Sequence, residues 1–467
     1  MRFQFLDRWH LSLHSALILA FALRLSVFGT ALWWATDYSV FYSKDSGTYL
    51  QPAAELVATG TFSTNGAPEI MRTPGYPLLL TIGIWFGHVE LITILLQILL
   101  SCLTCYGVYC ITKNIFGNDR SAVGAAFLFS IEPLSILYSC MLLSDALFIF
   151  FLTAALNSLI RACQRGPFRH WLVAALLLAA AAYTRPVGYF LPLGLTVFLL
   201  IWVIAKKRYD LFRNVAIFCL LTMGLIGLWQ VRNTLATGYA GFSTTTEIVL
   251  YFYHAGAVKA QQQGLPFYQV VERLGYYDSD IYYRNHPDQQ TWKPRQRYAY
   301  LRQEGFKTLM QTPALYAQIY VRGLFVMLFD PGVIEYFRLF KLYQKSSRLL
   351  NVMAKQGLMG AATRAITENP SLVFWGGGLG VLLLSFYFLS IVGLNTTSVR
   401  NNLPLSLLLG TCFYFIATSG GIVAVSRFRA PVMPFIAVFA GHGLMVLLAK
   451  RPHKSLGPSQ NDLALNL

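Results

Sequence analysis

Long apolar stretches alternate with short polar connections along the 467 residues of the chain. Ten of these stretches lie at residues 11–34, 91–111, 122–138, 141–160, 171–183, 187–205, 214–231, 372–394, 403–419 and 430–449. Several reach the ~20 residues that a helix needs to cross about 30 Å of hydrocarbon. Spans without water must be helices or closed barrels, and these runs are too continuous for barrel strands. The pattern predicts an all-α polytopic membrane protein with about 10–11 transmembrane helices.

Charge then orients the predicted helices. Only 12% of residues are charged, against about 25% in a soluble domain, yet the formal net charge is +17. Lys and Arg concentrate in the short connections, which the positive-inside rule assigns to the cytoplasm together with both termini. The excess of basic residues therefore indicates how the helices are oriented in the membrane and that the protein contacts anionic lipids. No nucleic-acid motif is present. The first run is too long for a cleaved signal peptide, so we expect a retained anchor.

Four regions follow from this topology. They are an N-terminal transmembrane module at 1–232 with a first outer loop at 35–77, an outer loop region with interfacial helices at 233–370, C-terminal transmembrane helices at 371–450, and a polar tail at 451–467.

One apolar stretch, residues 315–330, is open to two interpretations. It carries Arg322, and an eleventh span here would move the C-terminal basic residues outside, so we favour a segment on the membrane surface. Basic residues recur at helical spacing directly after it, at Arg338, Lys341, Lys345 and Arg348. This spacing predicts an amphipathic interfacial helix.

Charged residues collect at the predicted outer ends of the spans. They are Lys44, Asp45, Arg72, Glu132, Asp145, Arg185, Arg232, Arg427 and Arg429. Each alone has a structural explanation, such as a wet loop, a turn, a helix N-terminus or a side chain that reaches the headgroups. Their position on one side is better explained by function. Guanidinium groups suit phosphate, and a nearby carboxylate suits removal of a proton from a hydroxyl.

Other motifs are poorer candidates. Cys102 and Cys105 form a CxxC inside an apolar helix, where packing is the better explanation. The DSD at residues 278–280 resembles a metal-binding DxD motif, but no βαβ pattern surrounds it. Glu69 and His254 are the candidate ligands for a divalent metal, which is the only cofactor left open.

Six segments together resemble a known family. They are "KDSGTYLQPAAELVATGTF", "RTPGYPLLL", "IEPLSILYSCMLLSDALF", "AAAAYTRPVGYFLP", "WQVRNTLATG" and "SRFRAPVMPFIAVFAG". In this order they resemble the GT-C membrane glycosyltransferases, in the branch of the protein O-mannosyltransferases and the aminoarabinose transferase of lipid A. The resemblance is good over residues 10–250 and looser over 370–450.

The resemblance implies a polyprenyl-phosphate sugar donor and transfer on the periplasmic or lumenal side. It implies that Asp45 is the catalytic carboxylate and Asp145 the second acidic position, with Glu132 as a further candidate. Some members use a divalent metal and some do not. This chain has Ser46 after Asp45 where the mannosyltransferases have an adjacent acidic pair, which argues against a metal in the first loop.

These inferences combine into a hypothesis of an inverting glycosyltransferase in the bacterial inner membrane, with a periplasmic active site. Asp45 and Asp145 are the predicted catalytic residues, and Lys44, Glu132 and Tyr76 support them. The donor phosphate is assigned to Arg72, Arg185, Arg232, Arg427 and Arg429. The acceptor is left open among lipid, polysaccharide and protein. Two alternatives remain: an O-antigen-ligase-like polymer transferase using His254 or His286, and a lipid flippase or secondary transporter, for which Arg24 is the relevant buried charge.

Overall fold

The computed structural model describes residues 12–164, 166–342, 370–397 and 402–449, and most of these residues are helical. The predicted tail at 451–467 lies outside them. The helices of the first half are α1 Leu13–Ala35, α2 Ser46–Thr59, α3 Gly75–Trp85, α4 Val89–Phe116, α5 Asp119–Ser130, α6 Pro133–Cys140, α7 Asp145–Cys163, α8 Arg169–Thr184, α9 Leu191–Ala205 and α10 Phe212–Thr237.

The second half is also helical. Its α-helices are α11 Thr245–Ile248, α12 Gly256–Gln263, α13 Phe267–Arg273, α14 Ser279–Asn285, α15 Pro294–Gln311, α16 Pro313–Phe329, α17 Val333–Leu339, α18 Pro370–Asn395, α19 Leu403–Thr418 and α20 Met433–Ala449. A π-helical segment, Val249–Ala255, joins α11 to α12. Short 3₁₀ turns lie at Tyr38–Phe41, Pro186–Gly188, Tyr209–Leu211, Pro287–Thr291 and Ser426–Val432.

All ten predicted apolar runs coincide with helices. Within the described ranges, seven helices are long and apolar enough to cross a membrane, or up to nine if each of two bent helix pairs counts as one span. The bent pair α5–α6 coincides with the third run, and α8 and α19, of 16 residues each, coincide with two others. The predicted all-α polytopic class is confirmed.

Close helix contacts hold the C-terminal part of the bundle together. At Gly443 on α20, a Cβ would lie 1.9 Å from the carbonyl oxygen of Leu389 on α18. At Gly441, a Cβ would lie 2.4 Å from the backbone nitrogen of Ala125 on α5. Glycines thus let α20 pack directly against α18 and α5, which is how helices associate where hydrocarbon surrounds them.

The first outer loop is a folded unit. Helix α2 ends at Thr59, and Gly60, with a φ of +72°, forms its left-handed cap. A two-stranded hairpin follows, β1 Ser63–Thr64 and β2 Ala67–Pro68, and it turns at Asn65 and Gly66 with φ of +53° and +74°. An Asn-Gly pair with positive φ at both positions is the favoured hairpin turn. The cap and the hairpin therefore fix the positions of the residues that precede and follow them in the loop.

The stretch at 315–330 forms most of α16, which meets α15 at a bend of 100°. Whether α16 lies on the membrane surface stays a prediction. The expected amphipathic helix is present only as the short α17, where Leu339 is buried and Arg338 pairs at 2.7 Å with Glu335. Its predicted continuation through Lys341 is wrong, because the helix ends at Leu339 and Lys341 has a left-handed φ of +54°. Lys345 and Arg348 lie outside the described residues.

Candidate active site

Asp45 lies where the first outer loop enters α2, and two arginines from distant parts of the chain contact its carboxylate. Its Oδ1 is 3.1 Å from Nη2 of Arg72, and its Oδ2 is 2.8 Å from Nη1 of Arg427. The Asp45 side chain is 42% exposed, whereas the arginines are 13% and 14% exposed. The carboxylate is thus fixed by two nearly buried cations and still reachable from one side.

Asp145 is the first residue of α7 and is fully buried. Its position at a helix N-terminus favours negative charge. Arg185 pairs with Oδ1, and Arg427 approaches Oδ2 with Nε at 2.9 Å and Nη2 at 2.8 Å. Arg427 therefore bridges the two carboxylates.

These contacts define one charge cluster, composed of Asp45, Arg72, Asp145, Arg185 and Arg427. Three guanidiniums and two carboxylates leave it with one net positive charge. Burial opposes ionisation of Asp45, but Arg427 and Arg72 outweigh it and hold the pKa of that carboxyl below its ordinary value of 3.8. Asp45 is accordingly a carboxylate at neutral pH.

Helix α2 supplies further residues that sequence reasoning missed. Arg72 donates from Nε to Thr48 Oγ1 at 2.9 Å and from Nη1 to the Tyr49 hydroxyl at 3.1 Å, and its guanidinium lies 4.3 Å from the Tyr49 ring centroid. A signal was available, because residues three and four positions after Asp45 share its helical face. Tyr76, a predicted supporting residue, packs edge-on against Tyr49 at 5.1 Å and donates to Gln97.

Hydrogen bonds fix the loop against the turn before α7. The Ser46 hydroxyl donates to the carbonyl of Leu142 at 2.8 Å, and the Leu142 N–H donates to the carbonyl of Phe41 at 2.9 Å. On the other side of the loop, the Glu69 carboxylate accepts from the backbone N–H of Arg72 at 2.8 Å. The positions of Asp45 and Arg72 therefore follow from backbone contacts on both sides.

Three predicted residues have their hydrogen-bond partners outside the charge cluster. Arg232 donates to the backbone carbonyls of Glu69 and Phe62, Arg429 donates to those of Met327 and Leu328, and Glu132 caps α6 by accepting from Leu134 and Ser135. These contacts give each a structural explanation. Their roles at a donor phosphate or in catalysis stay predictions.

Lys44 is exposed, and its Nζ lies 5.8 Å from the ring centroid of Tyr268 in the outer loop region. Its ammonium group is therefore near the aromatic residues of that region.

The candidate metal ligands contact other groups of the protein. Within the described ranges no three His, Cys, Asp or Glu side chains are grouped so that they could hold one. Glu69 is engaged by backbone N–H groups, and His254 contacts the Tyr316 hydroxyl at 3.4 Å. Asp278 caps α14 by accepting from the N–H of Asp280, which accounts for the DSD motif. Both carboxylates of the charge cluster pair with arginine instead.

The residues of the alternative hypotheses also have local partners. His286 stacks on Tyr282, with ring centroids 4.7 Å apart. Arg24 is fully buried and donates to Ser101 Oγ and to the carbonyls of Ala20 and Ser130.

Comparison with known proteins gives one family match. Residues 71–231 match the model of the dolichyl-phosphate-mannose-protein mannosyltransferase family, which confirms the resemblance indicated by the motifs. The matched region covers about a third of the chain and contains Arg72, Asp145 and Arg185, whereas Asp45 and Arg427 lie outside it. A comparison with curated proteins gives no significant match.

Several solved structures are remotely similar, and two of them are described here. ArnT from Cupriavidus metallidurans bound to undecaprenyl phosphate is 15% identical, with 92% of this chain and 76% of that chain covered and a TM-score of 0.40. The oligosaccharyltransferase of Archaeoglobus fulgidus tethered with an acceptor peptide is 13% identical, with 91% and 50% covered and a TM-score of 0.45. Both TM-scores lie below 0.5, so neither likeness bears on the site.

Proposed function

We propose that this chain, a relative of the dolichyl-phosphate-mannose-protein mannosyltransferases over residues 71–231, transfers a sugar from a polyprenyl-phosphate donor to an acceptor hydroxyl. The observation that carries the proposal is the bridge formed by Arg427 between Asp45 and Asp145. It joins a proton acceptor and phosphate-binding groups in one site, at the outer end of the predicted spans. We place this end on the periplasmic side of a bacterial inner membrane.

The charge of the cluster suits this donor. A sugar phosphodiester carries one negative charge, and the cluster has one net positive charge. As the sugar–phosphate bond breaks, negative charge grows on the departing phosphate. Arg72, Arg185 and Arg427 then stabilise the transition state more than the bound donor, which is the condition for faster reaction.

Asp45 is the proposed base. Its carboxylate takes the proton of the acceptor hydroxyl while the hydroxyl oxygen attacks the anomeric carbon. The bond from that carbon to the phosphate oxygen breaks, and the lipid phosphate leaves with the bonding electrons. A single displacement from the opposite face inverts the anomeric configuration.

Donor binding also tunes the base. In the described structure Arg427 directs Nε and both Nη atoms at carboxylates, which keeps Asp45 weakly basic. A phosphate that draws Arg72 or Arg427 toward itself weakens those pairs and raises the basicity of Asp45. We therefore expect the base to gain strength when the donor is in place.

The test compares Asp45→Asn with Asp210→Asn, an aspartate paired with Arg208 near the start of α10, away from the charge cluster. Purified protein in detergent receives an undecaprenyl-phosphate monosaccharide and candidate acceptors, and release of lipid phosphate is measured. Asp45→Asn should reduce transfer by about 10²–10⁴-fold, because a general base contributes that much, while donor binding persists. Asp210→Asn should transfer normally. Near-normal transfer by Asp45→Asn would remove Asp45 as the base.

A further inference from the structure

Three exposed tyrosines form a surface in the outer loop region. Tyr268, Tyr276 and Tyr277 are 62%, 37% and 56% exposed, and we call them the tyrosine surface. Large aromatic side chains are usually buried in a folded region, so a group of them left open to solvent commonly marks a binding site.

A glycine sets the position of two of these rings. Helix α13 ends at Arg273, and the chain turns at Gly275, whose φ is +82°. A Cβ there would lie 2.3 Å from the backbone nitrogen of Tyr282 on α14. Only glycine fits both the conformation and the space. The turn that it permits brings Tyr276 and Tyr277 out of the helix pair, with ring centroids 5.0 Å apart.

The tyrosine surface lies beside Lys44, the residue that precedes Asp45. The Nζ of Lys44 lies 5.8 Å from the ring centroid of Tyr268. Tyr276 packs at 5.0 Å against Tyr253. Burial raises the pKa of Tyr253, and Tyr276, Tyr277 and Asp45 raise it further. The surface is therefore next to the segment of the first outer loop that carries the proposed base.

We propose that the tyrosine surface binds a carbohydrate acceptor and presents one of its hydroxyls to Asp45. This proposal deepens the proposed function and rests on it. Tyrosine ring faces are electron-rich and attract the weakly positive C–H face of a sugar ring, and the phenol groups exchange hydrogen bonds with sugar hydroxyls.

The surroundings favour a sugar over a lipid chain. Glu272, Asp278 and Asp280 are exposed beside Tyr276 and Tyr277. Carboxylates are costly in hydrocarbon, so these residues place the surface in water. They also supply acceptors for the hydroxyl donors of a sugar.

A binding experiment separates this proposal from the catalytic one, because it requires no transfer. Full-length protein in detergent is titrated with fluorescent tetrasaccharides of glucose, mannose, rhamnose and N-acetylglucosamine, and with a labelled serine-containing hexapeptide. Tyr268→Ala and Tyr277→Ala are compared with Tyr209→Ala, in which the replaced tyrosine is equally exposed at 62% and lies in the turn before α10. Undecaprenyl phosphate binding verifies that each variant is folded.

We expect saturable binding of at least one tetrasaccharide, weakened at least tenfold in Tyr268→Ala and Tyr277→Ala and unchanged in Tyr209→Ala. The proposal is overturned if no tetrasaccharide binds, if Tyr268→Ala and Tyr277→Ala both bind as the wild type does, or if the peptide alone binds through these tyrosines. The same titration is made with Asp45→Asn. Saccharide binding by this variant supports the tyrosine surface whatever its transfer activity, and its transfer activity tests Asp45 as the base.

Discussion

Arg427 is the residue on which the charge cluster depends, because it alone contacts both carboxylates among the described residues. Replacing it with lysine keeps a positive charge but removes the planar fork that reaches two partners at once. We expect Arg427→Lys to lower transfer by about 10²–10³-fold, the range found when one preorganised donor to a transition-state anion is lost.

The matched control is Arg208→Lys, since Arg208 also forms a two-nitrogen contact with an aspartate, Asp210, but away from the site. That variant should transfer at the normal rate. Equal activity of the two variants in lipid phosphate release would show that the bridge made by Arg427 is dispensable.

Asp45 gives a pH-dependent prediction. Its pKa in the folded protein is below 3.8, the ordinary value, which applies to the unfolded chain. Between these two pKa values the unfolded chain binds more protons than the folded protein. The ion pairs of Asp45 therefore stabilise the fold fully above pH 3.8, and their contribution is lost as the pH falls through the folded pKa. Wild type should unfold at a higher temperature than Asp45→Asn at neutral pH, and the difference should shrink on acidification. A constant difference in thermal scans down to about pH 3 would contradict the assignment.

The sequence predicted the members of the charge cluster but not their pairing. All five members are candidates in the sequence, because a charged side chain at the outer end of a span is energetically costly and is kept where it has a function. They are Asp45, Arg72, Asp145, Arg185 and Arg427. Their pairing depends on how α2, α7 and the Ser426–Val432 turn meet, and no local pattern encodes that. Arg429 illustrates the limit: only two residues after Arg427, its side chain donates instead to carbonyls at the end of α16.

At the scale of elements, the first outer loop is held by α10. Arg232 donates to carbonyls on both sides of the β1–β2 hairpin, at Phe62 and Glu69, and stacks 4.7 Å from the ring of Trp229. Arg232→Ala removes both tethers, each worth about 1.5–3 kcal/mol for a charged donor. We expect proteinase K to cleave residues 60–70 faster, transfer to fall, and donor affinity to change less than threefold.

The control for this loop variant is Arg213→Ala, on the same helix but at its opposite end and exposed. It should leave the cleavage pattern unchanged. If Arg232→Ala instead weakens donor binding more than tenfold without extra cleavage, Arg232 is a phosphate ligand and its contacts to the loop are secondary.

Hydropathy located the spanning helices well because an apolar run must be helical in hydrocarbon, where its backbone has no other partners. It did not show that the third run breaks into α5 and α6. That break follows from Glu132 and Pro133, since proline begins a new helix and Glu132 caps it. The sequence did signal that break, whereas the hairpin in the first outer loop was missed, although its Asn65–Gly66 pair is a recognisable turn signal.

At the scale of the whole molecule, the basic connection before α10 and the first outer loop lie at opposite ends of that helix. Tyr209 sits among Lys206, Lys207 and Arg208 before α10, and that helix ends near the first outer loop that Arg232 holds. The positive-inside rule then predicts that Tyr209 is cytoplasmic and that the tyrosine surface is outside. In intact cells, a membrane-impermeant maleimide should label Tyr277→Cys, and it should label Tyr209→Cys only after permeabilisation. The seven native cysteines, all free thiols, set the background in the unsubstituted protein. Labelling of both variants in intact cells, or the reverse pattern, would refute the orientation and move the proposed transfer to the other side of the membrane.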